Sequence, residues 1–261
     1  MLGFNGGLLG SKRTPSPLAA SGLWFQNEQL IARQAQSWPT TGPGGAPLPA
    51  LWYDFADQST VTVSSSQITQ IISKGSRAWT LTKSATGPAY VDGINGLKCL
   101  DWGNVQHSNW LRNTDTTSTA IGEVFVVVDA SFGGSFTSYA GLMTGTGGSA
   151  WYFLGYPSSD NFTQEGTGFD RVFINGGATD RFGTAFDSPS IDSPSILRVA
   201  NSGSATFNAT DGFQIGNDRG NGGRGWFGLV GEYIVYSSVL STDNRNIVMD
   251  YLAAKWGITL L

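Results

Sequence analysis

One cysteine, one histidine and four glutamates occur in a chain of 261 residues, and each scarcity removes a class of chemistry. Cys99 alone cannot form an intrachain disulfide, and its default role is that of a small buried apolar side chain. With His107 as the single imidazole, the common zinc sets lack the several His or Cys ligands they need. A Ser-His-Asp triad would have to use that same His107, which sits in the polar segment VQHSN with no Gly-x-Ser-x-Gly elbow in company. Charge is sparse too: 15 Lys+Arg and 19 Asp+Glu make 13%, about half the ordinary share, with a net charge of -4. The basic residues are scattered, so no patch exists to neutralise phosphates, and nucleic acid is excluded as a partner. No uninterrupted apolar run reaches the roughly 18 residues of a spanning helix. The start, MLGFNGGLLGSKR, lacks the apolar run of a secretory signal, so the product is expected to fold in the cytosol where it is made.

What the chain has in quantity is glycine and aromatic surface. Its 36 Gly are about twice the ordinary share, and nine Trp, fifteen Phe and eight Tyr supply a sizeable core. Such a composition excludes a wholly disordered chain. Three zones follow. Residues 1–49 form an arm broken by Gly and Pro around one helical stretch, LWFQNEQLIARQAQSWP, in which Leu23, Leu30, Ile31, Ala35 and Trp38 recur near helical spacing until Pro39 ends it. A single apolar stripe of that length needs a surface to lie on. Residues 51–240 read as short strands between Gly, Ser, Asn and Asp clusters, clearest at 51–55, 79–82, 123–129, 151–156, 172–174, 196–200, 213–216 and 226–236. The continuous apolar run at 124–128 predicts a strand covered on both faces, and Asn175-Gly176 predicts a tight type I′ turn. The end, STDNRNIVMDYLAAKWG, predicts a helix capped by Ser241 and Gly257, with Asp243 in its first turn and Lys255 in its last. Its apolar stripe reads as Ile247, Tyr251 and Ala254, with Val248, Leu252 and Trp256 beside it. The fold class expected is all-β, a sandwich or jelly roll with helices at its two ends.

Two segments carry a family resemblance. The closing stretch, through Trp226, Gly228, Val230, Glu232, Ile234, Val235, Tyr236, Leu240, Ser241, Tyr251, Leu252, Lys255, Trp256 and Gly257, resembles the last strand and helix of concanavalin A-like, laminin-G-like jelly-roll domains. The opening LWYDFADQSTVTVSSS is similar to that family's first strand, so the resemblance implies such a domain over 50–261. The arm, through Gly22, Leu23, Trp24, Glu28, Gln29, Ala32, Trp38 and Pro39, resembles N-terminal leaders of tailed-bacteriophage virion proteins. It implies docking to other virion proteins through Phe4, Leu23, Trp24, Leu30, Ile31, Trp38 and Pro39, and a location in the phage particle. A peptide rich in Gly and exposed Trp gains order and buried area when it docks. The competing reading of the arm is a helix lying on its own domain.

Enzymes with a sandwich of this kind set two carboxyl groups roughly 5 to 10 Å apart about a sugar bond. Glu28 lies in the arm, and neither Glu123 nor Glu232 has a second acid two or four places along its strand. The expectation is therefore a chain that is not an enzyme. The run GNDRGNGGRG lacks the Lys-Ser/Thr ending of a phosphate loop and reads as an inter-strand connection. No cofactor is expected, with Ca²⁺ as the one candidate, since laminin-G-like relatives hold it at a sandwich rim; Asn217, Asp218 and Asn221 have the oxygens for it. For a glycan, which needs aromatic faces with amide and acidic groups beside them, the candidates are Trp151, Tyr152, Asp218, Arg224 and Trp226. The function expected is a virion structural protein, a tail fibre, adhesin or head-decoration subunit, displaying a lectin-like sandwich to host-surface glycans. Low charge and abundant Gly suit a homo-oligomer, a trimer first. The alternative is a free-standing carbohydrate-binding module with no assembly role.

Overall fold

The computed structural model describes residues 41–103, 109–113, 115, 117, 119–130, 139–145, 151–156, 161–163, 169, 171–177, 180–181, 191, 193–200, 207–209, 212–218 and 223–261. At 151–156, 161–163, 180–181 and 207–209 the description is of the backbone alone. Phe4, Leu23, Trp24, Leu30, Ile31, Trp38 and Pro39, with the helix expected around them, lie outside the described residues, as do Glu28, His107, Glu165 and Asn221. The chain divides into two units, 1–48 and 49–261. In the first, residues 41–48 hold a 3-10 turn at Pro43–Gly45, closed where the Ala46 amide donates to the Pro43 carbonyl at 3.0 Å.

The second unit is antiparallel β with one helix at its end. Its strands are β1 (Leu51–Asp54), β2 (Val61–Ser64), β3 (Gln67–Ile72), β4 (Thr80–Lys83), β5 (Ala89–Asp92), β6 (Lys98–Asp101), β7 (Leu111–Asn113), β8 (Thr119–Ile121) and β9 (Glu123–Asp129). They continue as β10 (Ala140–Thr144), β11 (Trp151–Tyr156), β12 (Asn161–Thr163), β13 (Arg171–Ile174), β14 (Asp180–Arg181), β15 (Ser195–Ala200), β16 (Phe207–Ala209), β17 (Phe213–Ile215) and β18 (Leu229–Tyr236). One sheet runs β12-β11-β10-β17-β7-β4-β3-β5-β6-β18-β9-β15-β13-β14, with β1 on β18 and β2 on β3, while β16 and β8 pair separately.

That long sheet is curled upon itself. β10 and β18 are the third and tenth strands of the order, yet the Tyr233 hydroxyl of β18 donates to the Leu142 carbonyl of β10. Tyr53 of β1 likewise stacks on Phe213 of β17 at 5.9 Å between ring centroids. Side chains from both ends of the path, among them Leu81, Leu111 and Phe213 against Val126, Val199 and Tyr233, bury together in one core. Alternation explains which residues go there. On β9, Val124, Val126 and Val128 enter this core, while Phe125 and Val127 are buried outside it, on the other face. The expected double coverage of 124–128 is thus present. Asn175 and Gly176 both adopt positive φ (51° and 78°), as the type I′ turn requires.

The helix α1 (Thr242–Trp256) starts where the Ser241 hydroxyl accepts from the Asn244 amide at 3.3 Å and ends on Gly257 in the left-handed region. Its buried face is Val248, Met249, Leu252 and Trp256, whereas Ile247 and Ala254 face solvent. The stripe read from the sequence is therefore rotated. What sets the rotation is Trp256, whose indole lies over Gly231: a Cβ at 231 would meet the ring at 2.8 Å. Gly231 is also the point where the β18–β9 register slips, a bulge that lets both Val230 and Tyr233 reach the core.

Three buried carboxylates tie α1 to the sheet. Glu232 accepts from Trp52 Nε1 (2.6 Å), Trp256 Nε1 (2.8 Å), Lys255 Nζ (2.8 Å) and the Tyr251 hydroxyl (3.2 Å). Its cross-strand neighbour Asp54 takes Lys255 Nζ at 2.6 Å and Lys74 Nζ at 3.0 Å. At the helix start, Glu123 accepts from Arg198 (2.6 Å), Arg245 (2.9 Å) and the Leu240 amide (2.8 Å). Replacing Lys255 by Met leaves Asp54 and Glu232 facing each other in the interior without their shared cation. Urea unfolding should register a loss of about 3–5 kcal/mol, part of it recovered when Asp54→Asn is added. A loss under about 1 kcal/mol would mean that the ammonium does not hold the helix.

Asp57 sets a pH dependence at the rim of the same network. Burial lifts its carboxyl, but the Ser59 hydroxyl and Lys74 outweigh that and hold it below the ordinary carboxylate range. A carboxyl lowered in the folded state stabilises the fold above its unfolded value and loses that contribution as pH falls through the folded one. Wild type and Asp57→Asn should differ least in unfolding free energy near about pH 2, and the advantage of wild type should widen toward about pH 7.

Candidate functional site

A cleft of about 700 Å³ opens over β4 and β7 on the face turned away from the core. Leu81 and Leu111 point inward and are fully buried, so alternation turns Thr80, Thr82 and Arg112 outward. Trp110 enters just before β7, fixed by its carbonyl accepting from the Ser84 amide at 2.9 Å and its own amide donating to the Ser84 hydroxyl at 3.3 Å. Its ring is half-buried, and the Arg112 guanidinium lies 4.7 Å from the ring centroid. A contact of this kind contributes about 0.5–1 kcal/mol at an exposed site and holds both groups in one orientation. Asn113 donates to the Thr80 carbonyl at 3.1 Å, and Lys83 to the Ala85 carbonyl at 3.3 Å. Asp115 completes the lining. Its Oδ1 accepts the Thr117 hydroxyl (2.6 Å) and amide (2.8 Å), and that hydroxyl, then that amide, hold the carboxyl below its ordinary range.

The register extends the cleft into a row. Gln70, Thr82, Arg112, Gln214 and Thr144 stand opposite one another on β3, β4, β7, β17 and β10, and cross-strand partners share a face. Trp151 is the next position, the Cα partner of Thr144 on β11. Toward that end the row is roofed. The Asn217 carbonyl accepts from Gln214 Nε2 at 2.9 Å and from the Thr144 hydroxyl at 3.0 Å, burying both side chains.

The Gly-rich segment that supplies this roof is held in place at its described ends. The Trp226 amide donates to the Gly216 carbonyl at 3.0 Å, and the Arg224 carbonyl accepts from Gly141 and Asp218 amides, both at 3.1 Å. Gly216 lies at φ +86° under Trp102, where an added Cβ would sit 2.2 Å from the ring. Of the candidates read from the sequence, Asp218 and Trp226 are completely buried. Asp218 is paired with Arg224 at 2.9 Å, and the Trp226 ring stacks on Phe227 at 6.1 Å between centroids. A sugar has no face of Trp226 to lie on. Arg224 remains about a third exposed, 5.2 Å from the Tyr139 ring centroid. Trp151 and Tyr152 are placed by backbone on β11. Of the calcium candidates, Asn217 is completely buried and the Asp218 carboxylate pairs with Arg224. Among the described residues no group of three or more His, Cys, Asp or Glu gathers as a metal site. Burial pushes the Cys99 thiol up to about 12, too weakly ionised to act as a nucleophile.

Sequence reasoning passed over the cleft residues. Their one signal was WLRN at 110–113, where an aromatic and a cation flank a leucine at period two.

No family model matches the chain, and no curated protein matches it. Solved structures do. An arabinofuranosidase complexed with arabinofuranosyl-α-1,2-xylobiose aligns with a TM-score of 0.46 and 15% identity over 83% of this chain and 60% of that one. A point mutant of a GH54 α-L-arabinofuranosidase soaked with 4-nitrophenyl α-L-arabinofuranoside gives 0.39 and 13%, over 82% and 64%. The GH54 enzyme soaked with a cyclic sulfate inhibitor gives 0.39 and 12%, over 82% and 64%. This chain spans 60–64% of the length of those chains. The finding overturns the expectation that the chain is not an enzyme, because the structures it resembles are glycoside hydrolases, and that expectation is withdrawn. At 12–15% identity the likeness brings no catalytic residue, substrate or mechanism to this chain.

Burial separates the roles of two tryptophans. Trp226→Ala should cost about 3–5 kcal/mol of stability, as for other fully buried large side chains. Trp110→Ala should leave the thermal midpoint within about 2 °C of wild type. Equal destabilisation by both, in parallel calorimetric scans, would make Trp110 a core residue and remove it from the site.

Proposed function

We propose that the chain is a structural subunit of a tailed-phage particle, anchored through residues 1–49, whose β domain engages a saccharide in the β4–β7 cleft. The observation that carries the saccharide reading is the composition of that cleft. Trp110 offers an aromatic face for the apolar side of a sugar ring, and Asn113, Thr80, Thr82 and Asp115 offer donors and acceptors to its hydroxyls. Arg112 fixes the Trp110 ring in advance, which lowers the ordering cost of binding. A jelly-roll topology of the concanavalin A type agrees with an antiparallel sheet curled about one core and a helix following the last strand.

The particle reading rests on the arm's likeness to virion leaders, with Phe4, Leu23, Trp24, Leu30, Ile31, Trp38 and Pro39 as its docking side chains and other virion proteins as partners. A trimer or another rotationally symmetric ring suits a sparsely charged β subunit that packs against copies of itself. The free-standing module differs from this reading only in what the arm does. Deleting residues 1–45 separates the two: particles assembled with the truncated chain should lack it, and incorporation at normal occupancy would overturn the docking assignment. On a glycan array the full chain should show saturable binding that Trp110→Ala lowers at least about tenfold. A flat array overturns the saccharide assignment, and release of sugar from a bound polysaccharide would place the chain among hydrolases.

A further inference from the structure

The cations of the domain are distributed unevenly. Lys74, Lys98, Lys255, Arg198, Arg224 and Arg245 each have a nitrogen 2.6–3.0 Å from a carboxylate oxygen. Lys83 and Arg112 do not; among the described residues neither has an ion-pair partner, and both line the cleft. Asp115 is the one acid of the lining, and its Oδ1 is committed to Thr117. The Arg112 side chain makes no hydrogen bond within the described protein; its contact is the Trp110 ring, which leaves its planar fork of donors open. In a chain of net charge -4, this is a local reversal of sign at an aromatic platform.

We propose, resting on the saccharide reading above, that the β4–β7 cleft selects an anionic saccharide, with a sugar ring on Trp110 and its acid group between Arg112 and Lys83. A carboxylate or sulfate on the ring supplies acceptor oxygens to the guanidinium fork, with Lys83, whose ammonium keeps two donors beyond its bond to the Ala85 carbonyl, as a second point charge. Neutral sugars would leave both cations hydrated and gain nothing from them. Selectivity is then electrostatic, and it weakens with ionic strength because the site is open to solvent.

The test uses the full chain on an array of uronate-, sialate- and sulfate-bearing oligosaccharides, each beside its neutral methyl-ester or desulfated counterpart. At low salt the charged member of at least one pair should bind about tenfold or more tighter than its counterpart. Arg112→Gln with Lys83→Gln should erase that preference without lowering the thermal midpoint, while Lys98→Gln, a cation elsewhere, should leave it intact. Preference within the carboxylate pairs or the sulfate pairs identifies which acid group is the natural one. Equal affinity within every pair overturns the charge selectivity and leaves the saccharide reading standing. Absence of binding to every member, charged or neutral, overturns the saccharide reading and this inference with it.

Discussion

The carboxylate of Glu232 is the constraint on which the helix side of the fold depends. It lies on an interior strand, fully buried, and four groups from two elements converge on it: Trp52 from β1, and Tyr251, Lys255 and Trp256 from α1. A charge taken out of water is tolerated only when such donors replace its hydration. Burial, and then the charge of Asp54, raise the Glu232 carboxyl, while Lys255 and the Trp52 indole pull it back. Burial and Asp54 prevail, and the cluster is specific about geometry. A helix turned by one residue would carry Lys255 and Trp256 away from their acceptor, so the carboxylate dictates which face of α1 meets the sheet. Gly231 gives the complementary steric half, since only a residue without Cβ leaves room for the indole.

This explains why part of the fold was legible in the sequence and why the helix stripe was misread. The caps at Ser241 and Gly257 depend on local chemistry, and they are where the residues predict them. Strands such as β9 and β18 are apolar enough to stand out. The rotation of α1 depends on a carboxylate of β18, and counting apolar residues at helical spacing favours Ile247 and Ala254, which face solvent. A similar gap hides the β2–β3 hairpin. Its turn residues Ser65 and Ser66 both lie at positive φ (51° and 61°), where Asn-Gly would be the recognisable signal. Its outward positions Thr62, Ser64, Thr69 and Gln67 give a polar alternation with few large apolar residues. Pairing with neighbours, not local preference, stabilises such strands.

The site was harder to read than the fold for a related reason. A glycine-rich run with Asp218, Arg224 and Trp226 has the composition of a binding loop, yet its described ends use those residues internally: an ion pair, a buried indole and carbonyls that roof the polar row. The cleft instead gathers residues from two short strands about thirty positions apart, joined by the β4–β7 register. Only that pairing brings Thr82 beside Arg112 and sets Lys83 near Trp110. The family-like motif residues Trp52, Asp54, Glu232, Tyr251, Lys255 and Trp256 also prove to be one connected structural network.

A protein with so few charges makes the placement of each one informative. Lys74, Lys255, Arg198, Arg224 and Arg245 serve inside the fold, matched to Asp54, Glu123, Glu232 or Asp218 at hydrogen-bonding distance. Matched pairs cancel at range, so the field outside the domain is set by the charges left over. At the β4–β7 cleft those are Lys83 and Arg112 with Asp115, and Arg112 is held against the Trp110 ring. A neutral ring could use the Trp110 face, but it would leave unexplained why two cations with no ion-pair partner among the described residues share that cleft. An acid group on the ring accounts for both features with one ligand, and it needs no rearrangement of the strands that form the cleft.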